Sequence, residues 1–359
     1  MTRHRIDRLR KELHARGLGG FIVSSLFNIR YLTNFSGSNA LCIVRKDGAL
    51  FLTDQRYTLQ VKNEVKGWRK VITTGSLTEE AARRRALAGC KTIGFESNCV
   101  TYAQYRGLKK LFPAVSFVPT ADIVETLALV KDTTEMDAIR SAVAITDRVF
   151  QQILGVIRAG MQELDIAAEI SYLHRKFGAE KDAFDPIVAS GERGSLPHGR
   201  ASSKRIRRGE MVTLDFGCTV RGYNSDLTRT IGVGRVSGKA REIYAAVYRA
   251  QTEAVAAARP GMTGQELDAI ARKHIANAGY GKYFTHSLGH GLGLQVHERP
   301  RVSALSQEQL RAGSVITIEP GIYVSGFGGV RIEDDVLLTP GGCEVLNTSP
   351  KELTIVQPS

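Results

Sequence analysis

Two pairs of segments repeat within this chain, and the repeat restricts its fold more than any other feature. "RRGEMVTLDFG" at 207–217 is echoed by "RAGSVITIEPG" at 311–321, and "AGMQELDIA" at 159–167 by "PGMTGQELDAIA" at 260–271. Each half reads as helix, helix, strand and hairpin. The spacing exceeds the roughly 20–50-residue units of solenoids and propellers. It implies a duplicated domain with two pseudo-symmetric halves. The echo also places Asp215 and Glu319 at the same position, the ninth of eleven, inside apolar strands. A charge buried there needs a partner.

Upstream of the repeat the pattern alternates between helix and strand. An amphipathic helix is expected over 4–17, ending near Gly17. Strands follow in "GFIVSS" and in "ALCIVRKDGALFLTD", the latter a hairpin turning at Asp47-Gly48. Then come a helix in "TEEAARRRAL", a strand in "KTIGFES" and a helix in "TYAQYRGLKKLF". Beyond "ADIVETLALVKD" the texture changes to long helices, over 134–158 and 163–177. A chain of 359 residues is long for one core. The expected division is an α/β domain over 1–128 and an α+β domain over 129–359.

Composition narrows the function classes. The N-terminal stretch "MTRHRIDRLRKELHARG" lacks the apolar centre of a secretory signal, and no apolar run reaches membrane-spanning length. Five scattered cysteines without a CxxC pair fit a reducing cytoplasm and neither a disulfide framework nor a thiolate zinc site. The net charge is +13, with clusters at Arg83–Arg85 and Lys204–Arg208. No aromatic residues interleave with these clusters, so they read as solvated surface; neither nucleic acid nor membrane is an expected partner.

The carboxylates then find their company. With a turn at Arg221-Gly222, cross-strand pairing sets Asp215 opposite Thr228. Asp226 falls two residues from Thr228 on the same face, a diagonal neighbour of Asp215. Two anions that close in apolar surroundings require a proton or a cation between them. The second half supplies Glu319 in "ITIEPG" and Glu333 in "GGVRIEDDV". Between the halves, "THSLGHGLGLQVHE" carries His286, His290 and His297, and the loop "SLPHGR" carries His198. Four carboxylates and one imidazole form a hard, oxygen-rich set. It suits two divalent cations, Mn first, with Co, Fe or Zn as alternatives. A hydroxide held between them is the expected nucleophile.

These residues resemble the pita-bread metallopeptidase family, which includes methionine aminopeptidases, aminopeptidase P and Xaa-Pro dipeptidase (prolidase). The resemblance spans roughly 135–350 through "LDFGCTVRGYNSDLTRT", "THSLGHGLGLQVHE", "TIEPGIY" and "GVRIEDD". "NIRYLTNFSGS" and "LTDQRY" resemble the smaller domain of the creatinase/prolidase branch, which methionine aminopeptidases lack. The resemblance implies a creatinase/prolidase-type α/β domain before a pita-bread catalytic domain with an internal pseudo-two-fold. It implies Asp215 on one metal, His290 and Glu319 on the other, and Asp226 and Glu333 bridging. Glu319 is then the general base. His198 and His297 stabilise the tetrahedral intermediate and assist the leaving nitrogen. Thr228 and Arg331 stand behind the ligands, Arg331 orienting Glu333. Arg301, His286 and Phe184 are the expected substrate contacts.

The implied substrate is a peptide with proline second, and a homodimer is expected. A dipeptidase must bind the free carboxylate after its proline, which suits an arginine such as Arg301 just beyond His297. The alternative is aminopeptidase P, acting on longer peptides. A creatinase-like amidinohydrolase would lack the metal ligands, and a non-enzymatic relative would have lost ligands or histidines; this chain keeps both sets.

Overall fold

The computed structural model describes residues 2–357. They divide between Ala128 and Leu129 into two compact units. In the first, strands β1 (Gly20–Val23), β2 (Ala40–Arg45), β3 (Ala49–Asp54), β4 (Arg69–Thr73), β5 (Thr92–Glu96) and β6 (Ser116–Thr120) form one sheet in the order β4-β3-β2-β1-β5-β6. Its helices are α1 (Thr2–Ala15), α2 (Leu26–Thr33), α3 (Thr58–Glu64), α4 (Leu77–Arg83), α5 (Tyr102–Leu111) and α6 (Ile123–Ala128). Apolar residues such as Ile22, Ile43, Leu52, Ile93 and Phe95 fill the core. The β2–β3 hairpin turns at Asp47-Gly48 as its sequence implies, with Arg45 N–H donating to Gly48 O at 2.9 Å. Strands β4 and β6 carry no clear sequence signal. Each is five residues long and partly exposed, too short for alternation to stand out.

The second unit contains α7 (Thr133–Val156), α8 (Glu163–Lys176), α9 (Gly238–Ala257) and α10 (Gly264–Asn277). Its first-half strands are β7 (Lys181–Asp182), β8 (Ile187–Ser190), β9 (Met211–Phe216), β10 (Cys218–Val220), β11 (Tyr223–Asn224) and β12 (Leu227–Val233). The second half has β13 (Gly289–Gly291), β14 (Glu298–Val302), β15 (Val315–Ile318), β16 (Gly321–Val324), β17 (Gly328–Arg331), β18 (Asp334–Thr339), β19 (Gly342–Val345) and β20 (Ile355–Val356). The two main sheets run β20-β12-β9-β8 and β14-β13-β15-β18-β19. Each half has its own core. Phe150, Ile153, Ile166 and Ile170 of α7 and α8 meet Val212, Leu214 and Phe216. Val247, Ala254, Leu267 and Ile275 of α9 and α10 meet Ile316, Ile318 and Val336.

The duplication is visible in the helix starts. Asp165 accepts the N–H of the cap residue Gln162 at 2.8 Å, and Glu266 accepts that of Thr263 at 2.7 Å. Both cap residues also bridge an incoming segment, at Arg205 and at Gln309. Cap chemistry therefore aligns Asp165 with Glu266. The two Glu-Leu-Asp strings, although alike, fall at different helix positions.

The first hairpin has the expected register. Arg221 and Gly222 take positive φ, 49° and 83°, as a two-residue turn of primed type requires. Val220 faces Tyr223 and Asp215 faces Thr228. In the second half Ile318 faces Asp334 and Gly321 faces Arg331, a register that sets Glu319 across from Glu333. The halves are joined by Arg229, which is 1% exposed. It donates to the carbonyls of Thr228 (2.9 Å), Pro350 (3.0 Å), Ser349 (2.8 Å) and Glu333, and pairs with Asp334 at 2.7 Å. Thr230 Oγ1 adds a bond to Arg331 O at 3.0 Å. The two hairpins that carry the acidic residues are thus fastened back to back.

Candidate metal centre

Asp215 lies near the end of β9, and Asp226 precedes β12. Glu319 follows β15, Glu333 sits between β17 and β18, and His290 is the middle residue of β13. Ligand atoms of Asp226, His290 and Glu333 lie within 4.8 Å of one another. His290 Nε2 is 3.3 Å from Glu319 Oε1 and 3.8 Å from Asp226 Oδ2. Asp215 stands at the same cluster, since its charge raises the pKa of Asp226, Glu319 and Glu333 alike.

Glycine and threonine set this geometry. A Cβ on Gly289 would lie 2.0 Å from Thr317 O, and one on Gly291 would lie 2.1 Å from Arg299 O, so only glycine lets β13 approach its neighbours this closely. His290 Nδ1 donates to Gly291 O at 3.1 Å, which leaves the Nε2 lone pair facing the carboxylates. Thr317 Oγ1 accepts from His290 N–H at 3.1 Å and donates to Glu319 Oε1 at 3.2 Å. Thr228 Oγ1 donates to Glu333 Oε2 at 2.6 Å. Asp335 Oδ2 accepts the Asp226 N–H at 2.9 Å.

Arg331 takes a different place from the one its spacing suggests. It does not bond Glu333 directly. Its long side chain reaches across to the first hairpin, pairing with Asp215 and donating to Thr228 Oγ1 at 3.1 Å, and it meets Glu333 only through that threonine. It also donates to Tyr323 OH at 2.7 Å and to Pro197 O at 3.1 Å, which ties down the loop just before His198. Tyr323 OH in turn bonds His286 Nε2 at 2.9 Å, while His286 Nδ1 donates to Ser287 O at 2.7 Å. Both nitrogens of His286, an expected substrate contact, are thus engaged within the protein.

Of the remaining expected residues, His297 adjoins the cluster. The His290 and His297 rings are 4.3 Å apart at 62°. His198 is exposed, and its charge acts on both His286 and His297. Arg301 lies exposed on β14, and its guanidinium has no ion-pair partner among the described residues. Phe184 is half-buried in the turn between β7 and β8. Sequence reasoning missed Tyr323 and Asp335. "TIEPGIY" contains the tyrosine, and a buried hydroxyl needs a partner, but only the folded contact with Arg331 reveals which one.

Burial pushes Asp226 and Glu333 well above the carboxylate range; the next causes are Glu333 for Asp226 and Glu319 for Glu333. Burial also raises Glu319 to about 8. It lowers His286 and His290 to about 4, with Arg331 and His297 as the next causes, so both imidazoles are neutral at pH 7. Asp226 Oδ1 is buried with no hydrogen-bond donor. A carboxylate oxygen without a donor, among converging anions and a neutral imidazole, fits divalent cations. Asp226, His290 and Glu333, with Glu319 and Asp215 beside them, are the side chains that could hold such ions.

Comparisons with known proteins identify the family. Residues 137–340 match the model of metallopeptidase family M24, and residues 5–130 match the creatinase/prolidase N-terminal domain. An Xaa-Pro dipeptidase of Pyrococcus horikoshii is 48% identical over 75% of this chain and 76% of its own. Among solved structures, an Xaa-Pro dipeptidase from Bacillus anthracis is 42% identical, covers 99% of this chain and 100% of its own, and has a TM-score of 0.96. An X-Pro aminopeptidase from Thermotoga maritima is 38% identical, covers 98% and 100%, and has a TM-score of 0.91.

The acidic cluster predicts a pH signature for metal-free protein. A glutamate in the unfolded chain titrates near about 4.3, whereas folded Glu319 titrates at about 8 and Asp226 and Glu333 are raised as well. The stability that protonation gives is complete below the unfolded value and is lost as pH rises through the folded ones. Chelator-stripped protein should therefore melt at progressively lower temperature between about pH 4.3 and about pH 8. Metal-loaded protein should not show this fall, because cations replace the protons. Thermal melts of both forms across that range check this; a constant gap between them would contradict it.

Proposed function

The chain belongs to metallopeptidase family M24, and on that premise we propose that it is a proline-specific exopeptidase, an Xaa-Pro dipeptidase. The observation that carries this reading is the convergence of Asp226, His290 and Glu333 within 4.8 Å, with Glu319 3.3 Å from His290. The relatives named Xaa-Pro dipeptidase, one similar along its whole length and another along 76% of it, supply the substrate class.

Asp215, Asp226, His290, Glu319 and Glu333 would hold two divalent cations. When bound, these supply Lewis acidity toward the scissile carbonyl and acidify a water for attack. The chain's own groups do the rest. Asp226 and Glu333 are both buried, which keeps their carboxylates out of bulk water. Glu319 takes the proton of the attacking water as general base and returns it toward the leaving nitrogen. His198 and His297, at the open side, donate to the oxygen that gains charge as the carbonyl becomes tetrahedral and assist proton transfer to the leaving nitrogen. Arg331 holds Asp215 and, through Tyr323 and Pro197 O, the frame around His286 and His198.

Manganese is the proposed metal, in keeping with an oxygen-rich set. A cytoplasmic location accords with five free cysteines. No described helix is long and apolar enough to cross a membrane. A homodimer remains part of the proposal.

The similarity to an X-Pro aminopeptidase supports a second reading, action on longer peptides. The exposed guanidinium of Arg301, without an ion-pair partner among the described residues, favours the dipeptidase, since a dipeptide leaves a carboxylate for it to bind. Wild type should cleave Xaa-Pro far faster than Xaa-Pro-Xaa, and Arg301→Ala should lose that preference mainly through KM. Equal or faster cleavage of tripeptides by wild type assigns the aminopeptidase reading instead.

His198 tests the mechanism. His198→Ala should keep both cations, measured by elemental analysis, and lose kcat by about 10²–10⁴-fold as a proton-transfer residue would. Loss of metal in this variant would place His198 among the ligands and overturn its role.

A further inference from the structure

The segment between β13 and β14 brings His297 to the edge of the cluster, and Glu298 follows it directly. Glu298 folds back under that loop. Its Oε2 accepts the Gln295 N–H at 3.3 Å, and its carboxylate fills the space beside Gly293, where an added Cβ would come within 2.6 Å of it. Its Oε1 is 2.5 Å from Nζ of Lys131. The lysine side chain is 1% exposed and that of the glutamate 12%. So buried a pair adds little net stability, because desolvating both charges offsets their attraction. What it does supply is a fixed geometry.

Lys131 is placed to use it. It lies between the two family-matched stretches, 5–130 and 137–340. Its backbone N–H donates to Gly313 O at 2.9 Å, just ahead of the strand that leads to Glu319. The other side of the same loop is held by Asn224, whose Nδ2 donates to Gly293 O at 3.0 Å and Leu294 O at 3.1 Å. Asn224 thus fastens the loop to the first hairpin, and Lys131 fastens it to the start of the second unit.

We propose that Lys131 is a positioning residue for His297, acting through its buried ion pair with Glu298. The inference rests on the role given to His297 above. His297 and Glu298 share a peptide plane, so anchoring the glutamate carboxylate fixes the backbone that aims the imidazole. Without the lysine, Glu298 becomes an unpaired buried charge that moves toward water and turns the His297 backbone with it.

The test uses the metal-loaded full chain and three variants: Lys131→Met, Lys131→Arg, and Lys131→Met combined with Glu298→Leu. Lys131→Met should keep both cations and its KM while kcat falls roughly 10²-fold, the scale of a small misplacement. Lys131→Arg should recover most of the rate. The combined variant should recover the melting temperature, since an apolar pair can replace a buried ion pair, but not kcat. If the rate returns together with the melting temperature, the pair is only structural and the proposal is overturned. Should Lys131→Met fail to fold, the combined variant carries the same comparison. In a His297→Ala background, Lys131→Met should cost no further rate; a second loss of equal size overturns the proposal. Absence of Xaa-Pro turnover in wild type would instead sink the functional reading. The positioning can then be read from the His297 ring NMR signal, identified by its loss in His297→Ala. It should be single in wild type and broadened or doubled in Lys131→Met; an unchanged signal overturns the inference.

Discussion

Mutual repulsion among buried carboxylates is the constraint on which the rest of this structure depends. Two like charges about 4 Å apart repel by about 4 kcal/mol at an effective dielectric of about 20. A hydrogen bond returns only about 1 kcal/mol net. The bonds from Thr228 to Glu333 and from Thr317 to Glu319 therefore orient these groups without making their convergence favourable. Protons or cations must do that. Arg331 neutralises part of the charge at Asp215, and the Asp226 oxygen without a donor marks where protein groups leave off.

The duplicated fold is what can impose such an arrangement. Each half has its own apolar core, and each sends one hairpin to the seam. Arg229 locks the hairpins together by bonding carbonyls from both and the C-terminal segment at Ser349 and Pro350. The acidic side chains stand where ladders begin and end, so cores far from the site hold them in place. Loops at the open side carry His198 and His297, and these too are tethered: the first through Pro197 O to Arg331, the second through Glu298 to Lys131.

Much of this was legible in the sequence, for definable reasons. The register that sets Asp215 against Thr228 follows from one turn pair, Arg221-Gly222, because a hairpin with a two-residue turn has a single pairing. The four carboxylates could be named because the halves echo each other and each echoed strand leads into a hairpin; His290 was picked out from its neighbouring histidines by the family resemblance of its motif. What stayed hidden was long-range. The reach of Arg331 to Asp215 spans two hairpins, so neighbouring residues cannot encode it. Its apparent partner by spacing, Glu333, is reached only through Thr228. Asp335 accepting the Asp226 N–H and Tyr323 between Arg331 and His286 are likewise products of the seam. Strands β4 and β6 escaped for a local reason: five partly exposed residues hold too little alternation.

Counting metal ions in purified, metal-loaded protein tests the central claim most directly, by elemental analysis of wild type, His290→Ala and Asp226→Asn. If the hairpins of both halves converge on two cations, wild type holds two per chain. His290→Ala then loses the ion it helps to hold and keeps the other, and Asp226→Asn, altered at a shared ligand, retains neither in full. A wild type that binds no metal under these conditions, or an Asp226→Asn variant that still holds two ions, would contradict the account.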